Sequence, residues 1–287
     1  MNVENTGYQK YRNLTYELSR EVTKKYSTSF YSATQLFPPA IREAIHSIYG
    51  FVRLADEIVD SFHGFDQKVL LDRFEQDFYF ALEQGVSTNP VIHAFLITVK
   101  KYEIDDAYIQ AFLSSMRADL EKKVYSTKLE ADAYIYGSAD VVGLMCLRVF
   151  CNNDPQLFQQ LITPAMRLGS AFQKVNFLRD LKEDVLQLGR IYFPCFSLEH
   201  FDENTKQGLV KDIEADFAEA RKGITLLPSD SRLAVQTAYL YYLRLLEIIK
   251  LTPAGELVKR RIRVANSEKF RLLTGALIRH KLHIASK

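Results

Sequence analysis

Two pairs of aspartates constrain the fold of this chain more than any other feature. Asp56 and Asp60 form the first pair, and Asp180 and Asp184 form the second. Residues four apart on an α-helix point to the same side, one turn above the other. Carboxylates at this spacing repel each other, so a partner must offset the repulsion. A divalent cation with bound phosphate groups is such a partner, because Mg²⁺ is usually held by a few carboxylates, phosphate oxygens and water.

Both pairs also continue the inward-facing sides of their helices. The side that leads to the first pair consists of Ile41, Ile45, Ile48, Tyr49 and Val52. The side that leads to the second pair consists of Gly169, Phe172, Gln173 and Asn176. Ionised groups on a core-facing side are costly unless they are paired or bound to a metal. A solvated acidic face would explain one such pair, but two pairs in this position favour a metal site in the interior.

Composition sets the class of protein. Hydrophobic residues make up 47% of the chain and charged residues 25%, as in ordinary globular proteins. The formal net charge of +2 gives no indication of nucleic acid as a partner. The three cysteines, Cys146, Cys151 and Cys195, form no C-x-x-C motif and suit a reducing cytosol. Residues 1–13 lack an apolar signal core and no uninterrupted apolar run reaches about 18 residues, so we expect a cytoplasmic protein without a transmembrane helix.

Helical periodicity dominates the chain, and alternation typical of strands is nearly absent. The first predicted helix begins at Pro38-Pro39 and ends before a loop at 61–66. The other predicted helices cover about 66–84, 90–101, 105–124, 130–150, 155–188, 204–222, 229–250 and 255–283. Pro164 is expected to kink or restart the long helix, and Gly189 to end it. No linker or repeat interrupts this pattern, which predicts one all-α domain over residues 1–287.

Several motifs occur in a fixed order along the chain. They are Tyr26-Ser27-Thr28-Ser29-Phe30, Tyr49-x-x-x-Arg53-x-x-Asp56-Glu57-x-x-Asp60, Tyr134-x-Tyr136-Gly137, Gln173-x-x-Asn176-x-x-Arg179-Asp180-x-x-x-Asp184 and Gly189-Arg190-x-Tyr192-x-Pro194. From about Tyr16 to about Arg271 the chain thereby resembles the squalene/phytoene synthases, which are head-to-head prenyl transferases. It departs from the family pattern at Glu57, where many relatives have aspartate, and at Tyr26, where some have histidine. The resemblance implies the isoprenoid synthase fold, a single-domain helical bundle around a central cavity.

The resemblance also implies a reaction. Two prenyl diphosphates are joined through a cyclopropyl diphosphate, and diphosphate leaves twice. Mg²⁺, for which Mn²⁺ can substitute, neutralises the leaving group. The metal ligands implied are Asp56, Asp60, Asn176, Asp180 and Asp184. The catalytic residues implied are Asp56, Asp60, Asp180, Asp184 and Tyr134.

Further residues are expected to bind the prenyl diphosphate substrate. They are Ser27, Ser29, Phe30, Tyr49, Arg53, Gln173, Arg179, Arg190, Tyr242 and Arg261. Arginine forks suit diphosphate oxygens, and aromatic faces stabilise carbocations without reacting with them. Alternatives remain open for several positions. Arg179 can instead pair with the carboxylates, Ser27 and Ser29 can cap a helix, and the small residues Ala139, Val142 and Gly143 can serve either a prenyl chain or close helix packing.

The segment from Gly189 to Pro194 is more similar to the phytoene branch of the family than to the squalene branch. The resemblance therefore implies that two geranylgeranyl diphosphates form phytoene in carotenoid biosynthesis, without NADPH. The alternatives are a dehydrosqualene or squalene synthase that uses two farnesyl diphosphates, and a non-catalytic family member that acts as an assembly factor. Residues 259–287 contain nine Lys or Arg and one acidic residue, which fits either a solvated face or peripheral contact with the inner face of an anionic membrane. The sequence does not indicate an oligomeric state.

Overall fold

A computed structural model describes residues 6–194, 201–265, 267–269, 271 and 274–275, and these residues form helices but no strand. The helices of the first half are α1 (Thr6–Tyr26), α2 (Thr28–Thr34), α3 (Pro39–Ser61), α4 (Gln67–Gln84), α5 (Pro90–Tyr102), α6 (Asp106–Glu121), α7 (Lys128–Ile135) and α8 (Val141–Cys151). Those of the second half are α9 (Pro155–Arg179), α10 (Leu181–Leu186), α11 (Glu203–Ile224), α12 (Ser229–Leu251) and α13 (Ala254–Leu257). The all-α prediction is therefore confirmed for the described residues.

Local chemistry explains where the helices begin and end. The side chain of Asp66 accepts a hydrogen bond from the Val69 amide at 3.0 Å and so caps α4. Thr127 and Glu130 form a reciprocal capping box at the start of α7. Gly85 ends α4 with φ of 79°, a left-handed conformation that glycine adopts without steric cost. Turn and cap residues in the sequence thus fix the helix boundaries.

The core supports α3, which carries the first acidic pair. Phe51 on α3 is fully buried, and its ring stacks on Phe95 of α5 at a centroid distance of 4.1 Å. The rings of Phe74, Phe78 and Phe112 lie 4.9–6.4 Å from the same ring. Close aromatic packing of this kind holds a helix in one position. The last turns of α3 are therefore a rigid base for the carboxylates.

A π-helical turn, Tyr136–Asp140, lies between α7 and α8 within the segment predicted as one helix. Such turns insert one extra residue and occur frequently at functional sites. Because of the extra residue, the next residue on the same side of the helix as Tyr134 is Ala139, five positions later. Val142 and Cys146 continue this side. These three side chains are partly exposed, whereas the neighbouring Val141 is fully buried. The turn thus brings Tyr134 into line with a strip of small side chains.

Two helix predictions are corrected by the structure. The helix predicted for 155–188 passes through Pro164 without ending, stops at Arg179, and resumes as α10 after a break at Asp180, where ψ is 10°. The helix predicted for 255–283 is interrupted after Leu257, because residues 258–265 are not helical, whereas the described residues 267–269, 271 and 274–275 are helical again. Ile262 and Val264 are buried at alternate positions there, and the Ile262 amide donates to the Arg179 carbonyl at 3.4 Å. This extended segment crosses the end of α9, while residues 276–287 lie outside the described part.

One helical stretch, Lys128–Cys151, is long and apolar enough to cross a membrane by length and composition, with a mean hydropathy of 1.3. Of its most apolar window, 56% is buried inside the protein. A core helix meets the same criterion, and the buried side chains of α8 belong to the hydrophobic core. Within the described residues the stretch acts as a core helix.

Candidate functional site

The two acidic pairs border the same region of the molecule. Asp56 and Asp60 lie in the last turns of α3, whereas Asp180 lies at the break between α9 and α10 and Asp184 lies on α10. Arg190 connects the two: its amide donates to the Asp184 carbonyl at 2.7 Å, and its Nη1 contacts the Asp60 carboxylate at 2.5 Å. One residue thus bonds to a member of each acidic pair.

Electrostatics place the two pairs within reach of each other. Burial, together with repulsion from Asp180 and Asp60, raises the pKa of Asp184 to about 8 against the lowering effect of Arg190 and Arg179. Burial, followed by repulsion from Asp60, raises the pKa of Asp56 to about 7. The carboxylate of Asp60 thus disfavours charge on a member of each pair. A concentration of like charge in a partly buried site of this kind favours a bound cation.

Arginines already pair with these carboxylates. Arg53 binds Asp56 and Glu57, and its guanidinium lies 4.4 Å from the centre of the Tyr26 ring. Glu57, which departs from the family pattern, therefore serves at least as a partner for Arg53. Tyr26, the other departure, forms a cation–π contact with the same arginine.

The second pair has arginine partners of its own. Arg179 binds Asp180 through Nε at 2.9 Å, which is the ion-pair alternative considered from the sequence. Arg261 contacts Asp180 at 2.8 Å and Glu183 at 3.2 Å, because the extended segment 261–265 carries it across the end of α9. The carboxylates and the arginines predicted to bind substrate therefore form one mixed-charge cluster.

The donor set suits a hard divalent cation, although the carboxylates are not gathered around one point. In the described part of the chain no group of three or more His, Cys, Asp or Glu is arranged to hold a metal ion. The oxygens available are the carboxylates of the two pairs and the Asn176 amide, whose Oδ1 accepts from the Tyr242 hydroxyl at 3.2 Å. Oxygen ligands of this type are those that Mg²⁺ and Mn²⁺ prefer. The residues fit a metal, and their assignment as ligands stays a prediction.

A stack of aromatic rings lies beside the acidic pairs. The Tyr134 ring stacks on Tyr192 with a centroid distance of 4.9 Å, and Tyr192 stacks on Phe177 at 4.2 Å. Tyr125 lies 4.8 Å from Tyr134. Between Phe177, Tyr192, Asp184 and Arg190 lies a cavity of about 10 Å³, room for one water molecule.

Asp119, which is 2% exposed on α6, lies at the site although none of the sequence motifs contains it. Tyr134 donates a hydrogen bond from its hydroxyl to the Asp119 carboxylate at 2.6 Å, and the Arg190 guanidinium lies 3.9 Å from the same oxygen. Burial raises the pKa of Asp119 to about 6, against the lowering effect of Arg190 and Tyr134. The signal was present in the sequence, because Ile109, Phe112 and Met116 form an apolar stripe on α6 that continues to Asp119.

The other predicted residues surround the interior side of the acidic pairs. Phe30 stacks on Tyr49 at 5.1 Å, and the Tyr242 ring stacks on Phe172 at 3.9 Å. Gln173 on α9 donates to the Ser138 hydroxyl in the π-turn at 3.3 Å.

Ser27 and Ser29 lie at the start of α2 and are partly exposed. The Ser27 side chain caps no backbone group of α2, so the helix-cap alternative is wrong for Ser27. Its hydroxyl instead forms a hydrogen bond with Tyr49. Burial raises the pKa of Tyr49 to about 12, although Arg53 and this hydrogen bond both lower it.

An interior space adjoins these rings. Burial raises the pKa of the Cys146 thiol to about 12, although part of the side chain remains accessible. Because this thiol is deeply placed and yet partly accessible, we infer that it faces a gap between the helices, and Ala139 and Val142 are partly exposed on the same side. Gly143 does not face this gap, because a Cβ added there would lie 3.1 Å from the Ala165 carbonyl of α9. For Gly143 the close-packing alternative is therefore the correct one.

Residues 23–268 match the sequence model of one protein family, squalene/phytoene synthase. The chain belongs to this family. It is similar to a phytoene synthase of Arthrospira platensis, with 32% identity over 264 residues that cover 83% of this chain and 85% of the relative. It is also similar to a 15-cis-phytoene synthase of Synechocystis sp., with 33% identity over 260 residues that cover 82% and 76% of the two chains.

Solved structures agree with the family assignment. A dehydrosqualene synthase solved in complex with a ligand superposes with a TM-score of 0.80 and 25% identity, over 98% of this chain and 99% of that chain. A squalene synthase from Alicyclobacillus acidocaldarius has a TM-score of 0.73 over 83% of this chain and 94% of its own, and at 24% identity it shows the fold alone. The isoprenoid synthase fold and the prenyltransferase class inferred from the motifs are confirmed.

Proposed function

We propose that this squalene/phytoene synthase family member joins two geranylgeranyl diphosphates head to head, through a cyclopropyl diphosphate, to form phytoene in carotenoid biosynthesis. The observation that carries the proposal is the pair of acidic clusters that Arg190 connects beside an interior aromatic space. The relatives named phytoene synthase support the choice of product. The segment from Gly189 to Pro194 supports it as well, since its sequence resembles that branch of the family.

Mg²⁺, for which Mn²⁺ can substitute, would be held by the oxygens of Asp56, Asp60, Asn176, Asp180 and Asp184. When bound, the metal supplies Lewis-acid stabilisation of the departing diphosphate. The arginines of the site act on the same leaving group. Arg53, Arg179 and Arg261 present guanidinium forks, which match diphosphate oxygens in pairs. Their present carboxylate partners hold them at the positions where the diphosphates would lie.

The hydrocarbon parts of the substrates require a dry space. Loss of diphosphate leaves an allylic cation that water would quench, so the chain must exclude water and stabilise positive charge. The faces of Phe30, Tyr49 and Tyr242 can do this without reacting with the cation. Gln173 and the Ser27 and Ser29 hydroxyls are polar groups at the edge of this space, where they can orient the diphosphate ends.

Tyr134 is the residue we assign closest to the reacting carbons. Its hydroxyl proton is engaged by Asp119 at 2.6 Å, so the lone pairs of its oxygen remain available. Those lone pairs can stabilise positive charge that develops on the substrate. No step of this reaction requires a reductant, and we expect turnover without NADPH.

A second candidate has support of its own. The similarity to a dehydrosqualene synthase, at a TM-score of 0.80 over nearly the whole chain, favours condensation of two farnesyl diphosphates as the alternative. A non-catalytic role as an assembly factor is less well supported, because both aspartates of each pair are present and grouped. The length of the prenyl chain depends on the depth of the interior space near Cys146.

We also propose that the protein acts in the cytoplasm as one domain over residues 1–287 that touches the inner face of the membrane. The buried apolar side chains of the described residues form one cluster, which supports a single domain. At the junction of α3 and α4, Phe65 is 73% and Val69 60% exposed, close in sequence to Asp60. A product without polar groups leaves more easily into lipid than into water, because each CH₂ gains about 0.8 kcal/mol on leaving water.

The deciding experiment incubates the purified protein with geranylgeranyl or farnesyl diphosphate and Mg²⁺, with and without NADPH, and identifies the products by chromatography. We expect phytoene from geranylgeranyl diphosphate in both conditions. An Asp132→Asn variant, which changes a carboxylate that is 49% exposed on α7, serves as the active control. If the protein converts only farnesyl diphosphate, the phytoene proposal is wrong and the second candidate, condensation of two farnesyl diphosphates, takes its place. No turnover of either substrate would return the assembly-factor alternative to first place.

Membrane contact is tested separately by sedimentation with anionic phosphatidylglycerol vesicles. The double variant Phe65→Ser/Val69→Ser should bind less than the wild type. Leu251→Ser, which changes a side chain that is 78% exposed at the end of α12, is the matched control. Equal binding by all three proteins would contradict the assignment of this surface.

A further inference from the structure

We propose that Asp119 is a positioning residue of this site, which holds the Tyr134 hydroxyl and the Arg190 guanidinium in their working positions. The inference rests on the proposed function, because it assigns Asp119 a role in the same reaction. It adds a third acidic position to the two pairs, on a helix that carries none of the family motifs quoted above. Asp119 itself is proposed to touch neither substrate nor metal.

Burial is the first observation behind this inference. Asp119 is 2% exposed, and its Oδ1 has no hydrogen-bond partner within the described part of the chain. An ionised carboxylate in such a position is costly unless its interactions compensate, and a residue kept there for packing alone would be apolar. Among the described residues, the hydrogen bond and the ion pair of the Asp119 carboxylate are both with predicted site residues, Tyr134 and Arg190.

Arg190 carries the effect of Asp119 to the first acidic pair. Arg190 is 3% exposed, and its guanidinium binds the Asp60 carboxylate, the Val59 carbonyl at 3.3 Å and the Asp119 carbonyl at 3.4 Å. Without the Asp119 carboxylate, Asp60 would be the only carboxylate within ion-pair distance of this buried cation among the described residues. The carboxylate of Asp119 therefore balances the pull of Asp60 and fixes the guanidinium between α3 and α6.

Tyr134 carries the effect to the aromatic stack. Its ring packs against both Tyr125 and Tyr192, whose own ring centroids are 5.6 Å apart. The hydroxyl proton of a tyrosine can rotate to suit its partner. The short bond to Asp119, at 2.6 Å, selects one orientation, since the alternative partner Tyr192 lies 3.5 Å away. Charge-assisted hydrogen bonds are roughly twice as strong as neutral ones. Asp119 thus determines which side of the Tyr134 oxygen faces the substrate.

The main test compares Asp119→Asn and Asp119→Glu with the wild type in steady-state kinetics and thermal unfolding. Asparagine keeps the shape and removes the charge, whereas glutamate keeps the charge and moves it by one methylene. We expect kcat to fall about 10–100-fold in both variants, the usual effect of removing an outer partner of a reactive site. KM should stay near the wild-type value, because Asp119 makes no substrate contact. The glutamate variant should retain more thermal stability than the asparagine variant.

Asp216→Asn provides the matched control for loss of a buried carboxylate. Asp216 is 5% exposed and pairs with Lys174 at 2.7 Å and Arg167 at 3.2 Å, neither of which is a predicted site residue. This variant should lose stability yet keep kcat. If it loses as much kcat as Asp119→Asn at the same loss of stability, Asp119 has only a structural role and the inference is overturned.

A double-mutant cycle with Tyr134→Phe tests the hydrogen bond itself. Tyr134→Phe combined with Asp119→Asn should lower kcat by less than the product of the single effects, because the two groups act as a unit. If the two single effects multiply in the double variant, the inference is contradicted. If Asp119→Asn does not fold, a wild-type kcat in Asp119→Glu would contradict it instead. Failure of the proposed function is distinguishable, since the wild type itself would then form no prenyl product.

Discussion

Replacement of Asp184 by asparagine should stabilise the metal-free protein above neutral pH while abolishing its activity. Burial and repulsion from Asp180 and Asp60 raise the pKa of this carboxyl from 3.8 to about 8. A group with a raised pKa binds more protons in the folded state than in the unfolded state. Its contribution therefore becomes less favourable as the pH rises from about 4 to about 8. The wild type should be less stable at pH 8 than at pH 5, and the variant should show a smaller decline.

The size of this effect has an upper limit. Each tenfold change in a protonation equilibrium corresponds to about 1.36 kcal/mol, so a pKa of about 8 instead of 3.8 allows about 5 kcal/mol at pH 8. Asp184 is only partly buried, and water reaches the acidic cluster, so screening reduces the effect. We expect a gain of about 2 kcal/mol in the free energy of unfolding at pH 8 and much less at pH 5.

Urea denaturation at both pH values, with EDTA present, measures this difference directly. The control is Asp132→Asn, which changes a solvent-exposed partner of Lys128 and should shift stability by less than about 1 kcal/mol at either pH. Two results would refute this reasoning: Asp184→Asn is less stable than the wild type at pH 8, or its free energy of unfolding declines with pH as much as that of the wild type. Either would show that the carboxyl of Asp184 does not have a raised pKa.

Three further predictions address the metal, the interior space and the π-turn. Asp56→Ala and Asp180→Ala should each lower Mg²⁺-dependent turnover by about 100-fold or more and stay folded, while EDTA should stop the wild type; full activity in EDTA would disprove the metal assignment. Val142→Phe should reduce product formation from geranylgeranyl diphosphate more than from farnesyl diphosphate, because it fills the interior space; equal losses would place Val142 outside that space. Deletion of Ser138 should leave the helix content measured by circular dichroism unchanged but remove turnover, and wild-type turnover would show that the register set by the π-turn is not needed.

The sequence predicted the helices whose buried side chains are apolar. The helix from Pro39 to Ser61 shows why, since its buried positions repeat at helical spacing and a proline marks its start. Helix α1 was not predicted, because the positions it buries against α3 and α5 are Thr15, Ser19 and Thr23. Their hydroxyls bond to their own helix, as when Ser19 donates to the Thr15 carbonyl at 3.0 Å, so small polar residues pack where apolar ones were sought.

The site was predictable where a charged residue interrupts an apolar stripe. This criterion selected Asp56 and Asp180, and it would have selected Asp119 had the α6 stripe been followed to its end. The position of Arg261 could not be derived from periodicity, because the segment that carries it was predicted as a helix. It reaches Asp180 only because Ile262 and Val264 bury alternate side chains in an extended chain.

The π-turn shows why the segment predicted for 130–150 could not reveal its own functional side. Each residue of an α-helix turns the chain by about 100°, so one inserted residue rotates everything after it by that angle. In an uninterrupted helix the side of Tyr134 would continue through Val141 and Met145, which are fully buried in the core. With the insertion it continues through Val142 and Cys146, whose side chains face the interior space. Without the inserted residue, the side of the helix that carries Tyr134 would continue only into the core. With it, Tyr134 and a narrow strip of small side chains lie on one side and can contact the same substrate.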